Sequence, residues 1–332
     1  APALAGAPAC PSDMVAVEGG RFCIDRFEAM LVDGATGQAL SPDYPSTPNL
    51  LELTLAEWST GRRRTGDVHA RAFPLPLLPG WQRGRAIAAL ARSRPGVRPS
   101  GYVTGLVAES ACAAAGKRLC SVEEFVTACR GEDDTLYPYG DTFEEGACNV
   151  FRAGHPAAQL HGNASIGHLD PRLNRVRVAG EPLLRETGGS PRCRSRWGSD
   201  AVHDLVGNLD EWVNEPGGAF AGGFYSRSTR AGCEALVTAH PRSYLDYSTG
   251  VRCCQDGPAP AAPDTAPETA PGTAIDIDSP PGAPAGSAPR PPGLLPDQAG
   301  HGEGSGDDEE HVGPAGSGQH TERGEQPHQQ RR

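Results

Sequence analysis

The stretch Ala115-Gly-Lys-Arg-Leu-Cys-Ser-Val-Glu-Glu-Phe125 decides how the rest of the chain is read. Gly116 closes an Ala-rich helical segment over 107–115, because glycine adopts the left-handed turn that ends helices. Ser121-Val-Glu-Glu124 matches the S-x-x-E capping box, so a second helix opens there. On it Val122, Phe125, Val126 and Cys129 recur at i, i+3, i+4 and i+7 and share one buried face. Cys129 therefore points inward, and Cys112 sits on the preceding helix.

Upstream, Met14 to Glu28 alternates apolar and polar residues around Gly19-Gly20 and reads as a hairpin. Cys10 and Cys23 flank its first strand and could pair. Residues 33–100 read partly as a loop or insertion, rich in Pro and Arg (Arg62-Arg63-Arg64, Pro74, Pro76, Pro79, Arg92, Arg94). These arginines show no interleaved aromatic pattern, so a solvated loop is expected rather than a nucleic-acid surface. From Phe143 to Thr249 short strand-like runs alternate with Gly and Pro. The mixture predicts an α+β fold rich in loops, with little regular secondary structure.

Composition sets the boundaries. The chain carries a net charge of −11 over 332 residues. Residues 255–332 hold 13 acidic and 4 basic residues and no Phe, Trp, Tyr or Cys. The acidity thus belongs to a tail, not to a field around a site. Such a Pro/Gly/Ala-rich tail buries too little apolar surface to offset chain entropy and is expected to be disordered. The expected organisation is a leader at 1–13, a domain at 14–254 and this acidic tail. No run approaches the ~20 apolar residues of a membrane span. The start at Ala1 reads as processed or trimmed. Ten cysteines without a C-x-x-C or zinc spacing favour disulfides, and so an exported protein: periplasmic, cell-surface or secreted.

Several pieces recur in one order. They are Gly19-Gly20, Ala115-Gly-Lys-Arg-Leu119, Val122-Glu-Glu-Phe125, Cys129-Arg-Gly131, Tyr137-Pro-Tyr-Gly-Asp141, Asn149, Gly207-Asn-Leu-Asp-Glu-Trp212, Gly222-Gly223 and Gly250-Val-Arg252. Together the pieces resemble the formylglycine-generating enzyme, or sulfatase-modifying factor, domain over about 14–254. The resemblance implies that family's C-type-lectin-like fold.

It also implies structural Ca²⁺. One ligand set would fall on Asn149, the Val150 carbonyl, Asn163 and Ser165. A second would fall on Asp204, the carbonyls of Gly207 and Leu209, and Glu211. Mixed carboxylate, amide and carbonyl oxygens suit Ca²⁺. Asn163-Ala-Ser165 also spells an N-glycosylation sequon, discounted in a chain whose Ala/Gly/Arg/Pro bias suggests a bacterial source. Carried over from the family, the structural disulfides would be Cys112–Cys253 and Cys129–Cys233. For the remaining cysteines, Cys148–Cys193 and Cys120–Cys254 pairs stand against a displaced Cu(I) site.

The family's enzymes hold copper with two cysteines just after the Gly-Gly strand, and soft thiolates suit Cu(I). Here those positions fall on residues such as Ser226 or Arg227 and Gly232, so copper is not expected. Nor is there the added helical domain that carries non-haem iron in other branches. The expected function is a calcium- and disulfide-stabilised, monomeric module that binds a protein, peptide or glycan and no nucleic acid. The alternatives are a formylglycine-generating oxidase with a displaced copper site, or another enzyme using His203, Asp210 and Arg252.

Overall fold

The computed structural model describes residues 10–61, 73–227 and 230–257. The tail beyond Gly257, the first nine residues of the leader and Arg62-Arg63-Arg64 lie outside the described residues. The hairpin forms as β1 (Met14–Val17) and β2 (Phe22–Asp25), in antiparallel register from Met14↔Asp25 to Val17↔Phe22. The strand β3 (Ala29–Asp33) pairs with β4 (Ala89–Ser93). Between them runs the helix α1 (Pro48–Gly61). The span 33–100 thus holds a helix and a strand among its loops. The alternating burial of Ala89, Ala91 and Ser93 is a strand pattern that the surrounding Pro and Arg residues obscured.

The two helices that bracket the opening stretch are α2 (Gly105–Ala114) and α3 (Val122–Arg130). Thr104 caps α2 through the Val107 amide. On α3 the Ser121 hydroxyl accepts the Glu124 amide (3.1 Å), while the Glu124 carboxylate accepts the Ser121 amide (2.8 Å). These two bonds satisfy backbone donors a helix start otherwise leaves bare. Phe125, Ala128 and Cys129 form its buried face. Between the helices lies β5 (Arg118–Leu119).

The remaining elements are short: α4 (Pro156–His161), β6 (Arg177–Val178), β7 (Glu181–Pro182), β8 (Arg194–Trp197), β9 (Asp200–His203), β10 (Asp210–Val213), β11 (Ala219–Ala221), β12 (Leu236–Val237), β13 (Thr249–Val251) and β14 (Cys253–Asp256). Two four-stranded sheets organise them, in orders β1-β2-β14-β5 and β12-β11-β10-β13. All pairings are antiparallel except β10 with β13. The closing Gly-Val-Arg-Cys therefore feeds both sheets, one through β13 and the other through β14. Because β14 pairs Gln255 with Cys23 and Asp256 with Phe22, the folded unit runs past residue 254.

Every cysteine is in a disulfide: Cys10–Cys23, Cys112–Cys253, Cys120–Cys254, Cys129–Cys233 and Cys148–Cys193. Adjacent Cys253 and Cys254 point to opposite faces of β14, as successive strand residues must. One staples α2 and the other the stretch before α3. Five disulfides fit an oxidising, non-cytoplasmic environment. Among the described residues no helix is long and apolar enough to cross a membrane.

Candidate functional site

The segment Asp204–Trp212 is the centre of the molecule's polar interior. Asp204, Gly207 and Asn208 all take the left-handed backbone region, with φ of 59°, 82° and 62°. The chain thereby coils tightly before β10. A Cβ on Gly207 would lie 2.2 Å from the Asn149 carbonyl oxygen, the same oxygen that accepts the Asn208 amide at 2.8 Å. Only glycine permits that approach. Asn149, from one expected calcium set, thus abuts Gly207, from the other.

Glu28, between β2 and β3, holds the coil from the other side. Its carboxylate is fully buried and accepts the Leu209 amide (3.0 Å) and the Asn208 side-chain amide. Nothing in the sequence reading pointed to Glu28. Its signal is a charged residue set between Phe27 and Ala29 in an otherwise apolar run. Asp204 accepts the Gly188 amide at 2.6 Å. Glu211 is gripped by Arg252 through two bonds of 2.7 Å, Nε to Oε2 and Nη2 to Oε1. Arg252 spends its other donors on the Asp25 and His203 carbonyls (both 2.8 Å).

Three buried carboxylates therefore face one guanidinium. Burial pushes the Asp204 carboxyl up to about 6, with the Gly188 hydrogen bond opposing. Burial raises Glu28 well above the usual carboxylate range, and the charges of Asp204 and Glu211 add to the effect. Burial lifts Glu211 as well, against the pull of Arg252. By charge this set suits a divalent cation. By placement it is spread out: among the described residues no three His, Cys, Asp or Glu side chains converge as a metal cage would require.

The residues of the first expected calcium set differ in setting, Asn149 and Val150 being buried and Asn163 and Ser165 exposed. Asn163 and Ser165 stand on the exposed turn after α4, where the Asn163 Oδ1 accepts the Ser165 amide (2.8 Å). Val150 is buried in the core. The Asn149 amide nitrogen donates to the Leu183 carbonyl (2.8 Å) and Asn208 Oδ1 (2.9 Å), and its Oδ1 accepts from Arg152 (3.3 Å). A guanidinium on that oxygen opposes a cation there.

His203, Asp210 and Arg252 do not form one site either. His203 stacks on Phe27 with centroids 4.9 Å apart. Burial and the nearby Arg252 hold it down to about 4, so it stays neutral. Asp210 and Glu211 are neighbours on β10 and face opposite ways, which separates Asp210 from Arg252.

On that other face, Asp210 pairs with Arg227, Oδ2 accepting from Nη2 at 2.6 Å. Arg227 also lies over the Phe224 ring, 5.3 Å from its centroid. The pair lines a 360 Å³ cavity with Glu234, Ala235, Leu236 and Val237. Ser226 or Arg227, with Gly232, stand where the resemblance puts the copper cysteines. Gly232 has φ 56°, and a Cβ there would lie 2.3 Å from the Leu136 carbonyl oxygen. The next residue, Cys233, is bonded to Cys129. With no free cysteine in the chain, the donors present do not fit Cu(I).

The fold and this interior define a class: a mixed helix-and-strand domain of the formylglycine-generating kind. A family profile, the Sulfatase-modifying factor enzyme 1-like domain, matches residues 83–260, more than half of the chain. The chain belongs to that family. No curated protein matches it. Among solved structures, the Major Tropism Determinant U1 variant is 17% identical, with a TM-score of 0.38 over 75% of this chain and 54% of its own. The chain spans about half the length of that protein. CarF is 14% identical, with a TM-score of 0.31 over 71% of this chain and 86% of its own. PvdO from Pseudomonas aeruginosa is 17% identical, with a TM-score of 0.32 over 76% and 90%.

Proposed function

We propose that this domain is an exported binding module that keeps the family's architecture without generating formylglycine. One observation carries the reading. At the two positions where the family's chemistry asks for thiolates, the chain has Ser226 or Arg227, an arginine tied to a buried aspartate, and Gly232, a glycine with no room for a side chain. The remaining cysteines are consumed by disulfides, which also support export. Calcium is part of the proposal at the Asp204–Glu211 segment. Asp204, Glu211 and the Gly207 and Leu209 carbonyls would hold it, and the ion would supply positive charge to a carboxylate-rich interior.

The test is direct. Purified protein is incubated with Cu(I), O₂ and a cysteine-containing sulfatase-type peptide, and the peptide mass is followed. The expected result is an unchanged peptide. Conversion of its cysteine to formylglycine would overturn the proposal and establish an oxidase with a displaced copper site.

A further inference from the structure

A separate cavity of 380 Å³ is lined by the segment 73–77 and by Arg98, Arg175 and Arg177. The segment reads Phe-Pro-Leu-Pro-Leu, and its two prolines have no amide proton to donate. It is held by its carbonyls instead. Arg172 donates to the Phe73 carbonyl (3.1 Å), Tyr44 to that of Pro76 (2.9 Å) and Ser41 to that of Leu77 (3.0 Å). All three donor residues are buried. The backbone is thus fixed from the inside, while two large apolar residues stay open to solvent, Phe73 at 37% exposure and Leu77 at 82%.

Among the described residues no carboxylate lines this cavity. The completely buried Asp43 is shared, one oxygen accepting from Arg98 (3.4 Å) and the other from Arg175 (2.8 Å). Glu186 also attracts Arg98. Arg177 donates to the Gly180 carbonyl (2.8 Å), which carries no charge. Three guanidiniums against two carboxylates leave one positive charge over. The Nη1 nitrogens of Arg175 and Arg177 have no acceptor among the described residues. The Arg175 side chain is 39% exposed and Arg177 is exposed, so both are reachable as they stand. A guanidinium grips a carboxylate through charge-assisted hydrogen bonds. One spare charge matches a monoanion, and the bare Phe73 and Leu77 ask for an apolar group beside it. A site for a free small acid encloses most of its ligand. Here the apolar wall is open to solvent, which leaves a path for a longer chain to run out.

Building on the binding-module reading, we propose that this groove binds the carboxyl terminus of a peptide whose last residue is apolar. The terminal carboxylate accepts from Arg175 and Arg177. The last side chain packs on Phe73 and Leu77, and the rest of the peptide leaves along the open wall. The pinned carbonyls of the segment 73–77 keep that wall in place before the peptide arrives, so little ordering is left to oppose binding.

The experiment uses the intact disulfide-bonded protein in about 0.15 M salt, where charges more than about 8 Å apart are largely screened. Acetyl-alanyl-alanyl-leucine with a free carboxylate is titrated by ligand-observed NMR. Beside it run the same peptide as its amide, the glycine-ended acid and hexanoate. The leucine-ended acid should bind, and the amide and the glycine-ended acid should each bind at least about tenfold more weakly. Arg177→Gln and Leu77→Ser should each weaken the leucine-ended acid by about tenfold. Both positions are exposed, so neither substitution disturbs the core. Arg196→Gln removes the same charge from an exposed arginine outside the groove and should bind as wild type does. No binding of the leucine-ended acid, equal binding of its amide, or binding unaltered in both groove variants would each overturn the proposal. Hexanoate binding as tightly as the peptide would overturn it too, by assigning the groove to free acids. All of these results leave the copper assay untouched, so failure here is distinguishable from failure of the binding-module reading.

Discussion

Arg227 and Asp210 form an ion pair of 2.6 Å in the stretch, Ser226 or Arg227, where the family resemblance calls for a copper thiolate. The exchange goes beyond one residue, because the second copper position, Gly232, has lost the space for any side chain. Restoring thiols at both positions should therefore fail. Gly232→Ala alone forces a left-handed non-glycine residue and a contact with the Leu136 carbonyl. A strained backbone position of this kind costs about 1–3 kcal/mol before any clash is counted. Thermal denaturation should show Gly232→Ala melting about 4 °C or more below wild type. A melting point within a degree of wild type would mean the loop relaxes freely and could admit a ligand cysteine.

The disulfides give a second prediction. A thiol count under denaturing, non-reducing conditions should be near zero. Two or more reactive thiols would reopen the metal question. Removal of Cys129–Cys233 by paired serine substitution should cost more than removal of Cys10–Cys23. The first closes a loop with a sequence separation of 104, the second one of 13. Loop-closure entropy predicts about 4–5 against about 3 kcal/mol. Equal losses in urea unfolding would show that local packing, not chain entropy, sets their worth.

Much of this architecture was legible in the sequence, and the reason differs by element. The capping box at Ser121 and Glu124 is a local signal, complete within four residues. Cys129 declared its inward face through helical spacing on the same helix. The family segments were recognisable because tight backbone geometry fixes residue type, as at Gly207 against Asn149. Glu28 and Arg227 were not readable as partners. Their interactions span 181 and 17 residues, and no local pattern encodes them. The calcium set at Asn163 and Ser165 was placed by spacing alone, and the structure leaves those residues on an exposed turn. The strand at Ala89–Ser93 was hidden by proline and arginine around it, although its alternation was present.

A third prediction concerns calcium. Burial pushes Asp204 up to about 6, so keeping it ionised at neutral pH costs stability unless a cation is present. Neutralising it should then have opposite consequences in two buffers. In chelator, Asp204→Asn should melt at or above wild type, since the amide oxygen can still accept from Gly188 and a repulsive charge is gone. With millimolar calcium, wild type should rise by several degrees, because a ligand at about a hundred times its Kd adds about 2.7 kcal/mol. Asp204→Asn should gain little. A wild-type melting point indifferent to calcium would remove the ion from the proposal.

The last prediction concerns Lys117 in the opening stretch. Its ammonium is buried and contacts Asp25 Oδ1 (2.6 Å) and Asp13 Oδ2 (2.7 Å). Asp25 also accepts the Cys253 amide at 3.1 Å, so this pair fastens the hairpin to the closing strand. Lys117→Met strands a buried carboxylate, which costs about 3–5 kcal/mol. Lys117→Met combined with Asp25→Asn should recover part of that loss, because no charge remains to be desolvated. The pH dependence follows from sign. Burial pushes Asp25 up to about 6 even against the pull of Lys117. Its contribution is therefore most favourable below the unfolded value of 3.8 and is lost as pH rises through about 6. Without Lys117 the carboxyl rises further. The penalty of Lys117→Met should thus be largest near pH 7 and shrink on acidification through 6, as Asp25 becomes protonated in both proteins. The double variant should lack this component. A penalty that stays constant between pH 7 and pH 5 in urea unfolding would mean that packing of the lysine stem, and not its charge, holds the two ends of the domain together.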